Sequence, residues 1–173
     1  MQKLLATMDR RKTELLTDAA AWKSEALLFR PQPTSWCALD VLDHLARTEA
    51  AVAQSVLSNT SPVALSARDI AGSLLVYAAM YTPSRIKLPP GAEVVIPQTP
   101  SSLKEAADAW QTARQLVAQI VQSSQQNHAR GGVFKHPVGG WMSAEGTLRF
   151  LDSHLAHHVF QWKRLRREAS LLN

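Results

Sequence analysis

Apolar residues recur three and four positions apart along most of the chain, which is the spacing of the buried face of an amphipathic helix. Segments rich in Pro, Gly, Ser and Asn separate these stretches and indicate turns. The pattern predicts four long helices and one short helix. They cover about residues 2–28, 36–57, 66–81, 102–124 and 143–169.

Residues that cap helices support several of these limits. Thr34 or Ser35 is a suitable cap for the second helix. Ser102, followed by Glu105 three residues later, has the pattern of a capping box and predicts the start of the fourth helix. Ser143 is predicted to begin the last helix.

Strand signals are almost absent from the chain. Val94–Ile96 is the only plausible strand, and it is too short to build a sheet. The proline-rich segment 83–100 is long for a loop in a compact domain, so we expect it to pack as a lid or to take part in function. The pattern predicts an all-α fold, a four-helix bundle with a long crossover and a short extra helix, as a single domain over residues 1–173.

Composition fits one soluble domain and limits the chemistry. The chain has 173 residues, of which 46% are hydrophobic, enough for a proper core. Neither a membrane-spanning run nor the apolar block of a signal peptide is seen, so we expect a cytoplasmic protein that does not bind membranes. The single cysteine, Cys37, excludes an internal disulfide and a zinc site built from several thiolates. A metal would therefore need His or carboxylate ligands.

The net charge of +5 raises the question of nucleic-acid binding. The densest cationic group ends the last helix, where positive charge also complements the helix dipole. It consists of Lys163, Arg164, Arg166 and Arg167. Because no finger spacing, interleaved aromatics or glycine-rich phosphate loop accompanies it, we expect no nucleic-acid partner.

The last helix carries a pair of histidines that could bind one metal ion. Its apolar seam alternates steps of four and three and includes His158. His154 lies one turn earlier, so both imidazoles point the same way, about 6 Å apart along the axis. This spacing lets one helix offer two nitrogens to one ion. His157 lies roughly 130° from the seam, which favours solvent or a contact behind the ligands.

A third ligand is needed, and periodicity leaves three candidates. His44 lies on the second predicted helix, near its apolar face. His128 and His136 lie in a loop with turn-forming residues, although a loop over the mouth of a bundle could reach a metal. The alternative for the inward histidines is that they are buried core residues that hydrogen-bond to neighbours or water and bind no metal.

Spaced motifs give the chain a resemblance to a known family. They are Trp36, the run Asp43–Leu45 with Glu49, the block Phe134–Gly140, and the final block His154–Gln161. With these residues the chain resembles the DinB/YfiT-like metalloenzymes over about residues 10 to 168. The specificity of this resemblance lies in the spaced histidines more than in any dense motif.

The resemblance implies a metal site, and helix positions suggest its neighbours. Members of that family form a four-helix bundle and bind a divalent ion, commonly nickel or zinc, through one His of the second helix and a pair on the last. In this chain those ligands are His44, His154 and His158. Residues expected to contact the ligands or line the pocket are Glu49, His157 and Gln161.

Two interpretations of function follow. The first is a metal-dependent enzyme of thiol S-transferase or hydrolase type, in which open coordination positions activate water or a low-molecular-weight thiol and the substrate is a small molecule. The second is a non-catalytic metal-binding or structural helical module. The sequence does not choose between them, and it leaves the metal open because several ions accept imidazole. Relatives are often dimers, so a homodimer is a further expectation.

Overall fold

Helices dominate the computed structural model, which describes residues 1–127 and 131–170. The helices are α1 (Gln2–Ala20), α2 (Ser24–Leu28), α3 (Ala38–Ser58), α4 (Ala67–Met80), α5 (Leu103–Asn127) and α6 (Ala144–Ala169). A 3₁₀ turn covers Glu93–Val95, and two short strands are β1 (Phe134–His136) and β2 (Gly140–Met142). The predicted all-α class is confirmed.

The four long helices form the bundle. Helix α3 packs against α5 and α6, and α1 packs against the same two helices. Helix α4 packs on the outside against α6 and β2. The largest fully buried side chains come from all four long helices and include Met8, Leu42, Trp110 and Leu151. Among the described residues, every helix is too short or too polar to cross a lipid bilayer.

The first predicted helix is divided in two. Helix α1 ends at Ala20 and α2 begins at Ser24. The break brings the ring of Trp22 against that of Trp162, with 4.9 Å between the ring centroids. Trp22 and Trp162 both donate a hydrogen bond to Asp18. Contacts with a distant helix therefore stabilise the break, which local periodicity does not reveal.

Helix α3 begins later than its predicted cap. Its N-cap is Cys37, and neither Thr34 nor Ser35 caps it. The carboxylate of Asp40 accepts hydrogen bonds from the Cys37 backbone N–H, at 2.9 Å, and from the Thr99 hydroxyl, at 2.7 Å. A side chain three residues inside the helix thus does the capping, and Cys37 is buried as packing.

The two strands lie where a turn was expected. Phe134–His136 pairs antiparallel with Gly140–Met142, and Gly140 adopts a φ of +74° at the end of the turn. The weak strand signal at Val94–Ile96 does not correspond to a strand, because Glu93–Val95 forms a 3₁₀ turn whose Val95 side chain is buried. Three-residue elements are too short for alternation to predict them.

A buried ion pair ties three helices together. Arg114 of α5 donates to Glu49 of α3 through Nε, at 2.8 Å, and to Asp9 of α1 through Nη1, at 2.7 Å. Trp110 Nε1 donates to the same Glu49 carboxylate at 2.9 Å. The side chains of Arg114 and Glu49 are only 5% and 4% exposed. Loss of Glu49 would leave the buried charge of Arg114 with the half-exposed carboxylate of Asp9 as its ion-pair partner.

Replacing Glu49 should therefore destabilise the bundle. We expect Glu49→Gln to lower the free energy of unfolding by about 3 kcal/mol, because Arg114 stays buried, loses its buried charged partner and keeps only the half-exposed Asp9. Urea unfolding followed by circular dichroism measures this. The matched control is Glu14→Gln, which breaks the exposed Arg10–Glu14 pair and should cost less than about 1 kcal/mol. Equal losses in the two variants would contradict the role given to Glu49.

Candidate metal centre

Three histidines from two helices meet between α3 and α6. His44 comes from α3, and His154 and His158 come from consecutive turns of α6. His154 Nε2 lies 3.2 Å from His44 Nε2 and 3.1 Å from His158 Nε2. All three side chains are buried. These residues are the three-histidine cluster, and one ligand nitrogen from each lies within 4.8 Å of the others.

Hydrogen bonds on the outer ring nitrogens orient two of these imidazoles. His44 Nδ1 lies 2.7 Å from the carbonyl oxygen of Val95, and His158 Nδ1 lies 2.8 Å from Gln161 Oε1. Because both oxygens only accept, each Nδ1 carries the hydrogen, and each Nε2 presents a lone pair to the cluster.

This arrangement leaves the centre of the cluster with more acceptors than hydrogens. Two Nε2 lone pairs face His154 Nε2, which in a neutral ring has at most one hydrogen to donate. At least one of the two close nitrogen contacts then lacks a hydrogen. A cation that accepts a lone pair from each ring satisfies all three, so the donor set fits a divalent ion that prefers imidazole.

Burial keeps the cluster in the form that binds metal. Desolvation lowers the pKa of His44, and it lowers the pKa of His154 and His158 well below the ordinary value. The neighbouring imidazoles lower the pKa of His154 further. All three rings are therefore neutral at pH 7, and neutral imidazole is the metal-ligating form.

Aromatic rings restrict the orientation of the cluster. The Trp36 ring lies 4.6 Å from the His44 ring and 6.2 Å from the His158 ring, measured between centroids. On the other side, the Phe150 ring lies 5.7 Å from that of His154. These contacts leave the imidazole rings little freedom to turn. Metal binding would therefore cost little conformational entropy of the ligands.

A cavity of about 990 Å³ lies against the cluster and is lined by all three of its histidines. Its walls come from helices α3 and α6, strand β1 and the segments 29–36 and 83–100. Segment residues on the wall include Ile86, Leu88, Pro89, Val94 and Val95. The long loop thus forms part of the site.

Two aspartates of α3 hold that segment in place. Asp43 accepts a hydrogen bond from the backbone N–H of Gln98 at 2.7 Å, and Asp40 accepts from the Thr99 hydroxyl. Both contacts lie just beyond Val95, whose carbonyl oxygen faces His44. Sequence reasoning missed this anchoring role. The only signal was the pair of acidic residues beside His44 on the core side of α3.

The other candidate ligands do not join the cluster. His136 lies on β1 and lines the cavity, but its Nδ1 accepts from the backbone N–H of Gly139 at 2.9 Å and of Val138 at 3.2 Å. Its ring packs edge-on against Phe150. His128 lies outside the described residues. The structure therefore brings His44, and not His136, to the pair on α6.

The three residues expected around the ligands have different surroundings. Gln161 contacts His158 and lines the cavity. His157, expected toward solvent or behind the ligands, is buried, because the chain after α4 covers it and the carbonyl of Thr82 lies 3.1 Å from its Nδ1. Glu49 lies instead in the ion pair with Arg114, which satisfies its carboxylate away from the histidines.

Comparison with known proteins identifies the family of the chain. A sequence model of the DinB superfamily matches residues 6–161, which confirms the resemblance seen in the sequence. No curated protein and no solved structure gives a match.

Acid should weaken the fold partly through His136. Desolvation lowers the pKa of this ring to about 4. The unfolded chain, with a pKa near 6.5, binds the proton first, so stability falls as the pH drops from about 6.5 to 4. By pH 4 the loss from this residue is about 3 kcal/mol. We expect His136→Gln to flatten the pH dependence of urea unfolding in metal-free protein. An unchanged slope would contradict a buried, neutral His136.

Proposed function

The chain belongs to the DinB superfamily, and on that premise we propose that it binds a divalent metal ion, nickel or zinc, through His44, His154 and His158. The observation that carries the proposal is the convergence of three Nε2 atoms. Hydrogen bonds already hold the outer nitrogens of His44 and His158, so the inner lone pairs are free for a metal.

We further propose that the protein is a metal-dependent enzyme of thiol S-transferase or hydrolase type that acts on a small molecule. A divalent ion held by three imidazoles keeps coordination positions open and lowers the pKa of a water or thiol bound there. The chain supplies the space for a substrate, since the cavity of about 990 Å³ beside the cluster has the size of small-molecule sites. A low-molecular-weight thiol is the proposed co-substrate.

A non-catalytic metal-binding module is the alternative. Such a module has no need for a large cavity against its ligands, whereas the three-histidine cluster lines one. Access from the cavity to the cluster therefore favours the enzyme over the non-catalytic module. A cytoplasmic location and a homodimer stay predictions.

Metal content tests the proposal. We expect purified protein to hold about one nickel or zinc ion per chain after incubation with either metal, measured by elemental mass spectrometry. His44→Ala, His154→Ala and His158→Ala should each lose most of it. His157→Ala is the control and should keep its metal, because its Nδ1 faces the carbonyl of Thr82 outside the cluster.

Two outcomes would contradict the proposed site. One is wild-type protein that takes up no metal while its circular dichroism shows folded helices. The other is equal loss of metal in His157→Ala and in the three cluster variants.

The hydrogen bond behind His158 should strengthen metal binding. Gln161 Oε1 holds the hydrogen on His158 Nδ1, so Gln161→Leu removes the acceptor that orients the ring. We expect the metal affinity to fall about 10-fold to 100-fold, measured by competition with a chromogenic chelator. Gln54→Leu changes an exposed residue of α3 and serves as the control. Equal affinities in wild type and Gln161→Leu would show that this contact does not support the ligand.

A further inference from the structure

Thr48 has a buried hydroxyl without a partner beside the three-histidine cluster. It follows His44 by one turn of α3 and lines the same cavity. The residue is 5% exposed. Among the described residues, its Oγ1 is the buried side-chain polar atom that makes no hydrogen bond.

Several other threonines within helices make a hydrogen bond that Thr48 lacks. Thr7, Thr112 and Thr147 each donate to the carbonyl oxygen four residues earlier, at 2.9, 3.0 and 2.9 Å. The hydroxyl of Thr48 makes no such bond to His44. A buried hydroxyl without a partner costs free energy, and functional sites are where such a cost is commonly found.

The charge around the cavity indicates what kind of molecule would supply the partner. Four cationic residues contribute to its lining, against the single carboxylate of Glu168. The cations are Arg85, Lys87, Lys135 and Arg164. Within residues 1–127 and 131–170, none of the four forms an ion pair with a carboxylate. Their uncompensated positive charge attracts anions into the cavity.

Apolar side chains also line the cavity. They include Ala51, Val52, Phe134 and Phe150. A ligand that fits this surface needs an apolar portion as well as a negative charge. The Thr48 oxygen itself is closed to solvent, so an oxygen of such a ligand accepts its hydrogen bond once the side chain turns the hydroxyl toward the cavity.

We propose that Thr48 is a substrate-binding residue and that the cavity takes a small organic anion, one oxygen of which accepts a hydrogen bond from Thr48 Oγ1. The inference rests on the proposed function, because the substrate lies beside the metal ligands. It goes further in naming the charge of the substrate and the residue that recognises it.

The first test uses stability and needs no ligand. Thr48→Val replaces the hydroxyl by a methyl group of similar size, so we expect an unchanged or higher melting temperature. The control is Thr147→Val, which removes a buried hydroxyl that has a partner and should lower the melting temperature by about 2–4 °C. A similar drop in Thr48→Val would overturn the inference, because it would show that the hydroxyl has a structural partner.

The second test uses two thiols on cobalt-loaded protein, with affinity followed by visible absorption. Mercaptoethanesulfonate is anionic and carries acceptor oxygens, whereas propanethiol has neither feature. We expect the wild type to bind the sulfonate more tightly. Thr48→Val should weaken binding of the sulfonate about tenfold and leave binding of propanethiol unchanged.

The outcomes of the second test separate the two proposals. Equal binding of the two thiols, or no effect of Thr48→Val on the sulfonate, overturns this inference and leaves the proposed function standing. Binding of neither thiol overturns the thiol chemistry of the proposed function, and this inference with it.

Discussion

The hydrogen bond between His44 Nδ1 and the carbonyl oxygen of Val95 joins the bundle to its longest loop, and the geometry of the site depends on it. This contact fixes the hydrogen of His44 on the outer nitrogen and turns the inner lone pair toward α6. It requires the 3₁₀ turn at Glu93–Val95, which Asp40 and Asp43 hold through the residues that follow it. Ligand orientation, loop position and cavity shape therefore have a common cause.

Two of the polar clusters in the described interior have opposite character. Arg114 donates to the carboxylates of Glu49 and Asp9, and the indole of Trp110 donates to Glu49, so this cluster holds helices together. The three-histidine cluster and Thr48 keep lone pairs or hydrogens that the chain does not use. Because buried groups without partners are costly, such a concentration of them in one cavity is expected where a ligand binds.

The sequence predicted the helices and part of the site because both are local patterns. The seam of α6 placed His154 and His158 together, and their spacing depends only on helix geometry. His44 is different. Periodicity did not distinguish it from His128 and His136 as the third ligand, and only the family resemblance selected it. The other surroundings of the site depend on contacts between distant segments. Burial of His157 by the chain after α4, and capture of Glu49 by Arg114, depend on tertiary packing that no helical period contains.

X-ray absorption spectroscopy of nickel-loaded or zinc-loaded protein tests the central claim most directly, because it reports the atoms bound to the ion. The account predicts three imidazole nitrogens at about 2.0–2.1 Å, with the multiple scattering typical of histidine rings, and a remaining oxygen ligand from solvent. A spectrum with sulfur ligands, or with fewer than three imidazoles and mainly carboxylate oxygens, would contradict it. Cys37 or acidic side chains would then hold the metal, and the three-histidine cluster would be a buried set of core histidines.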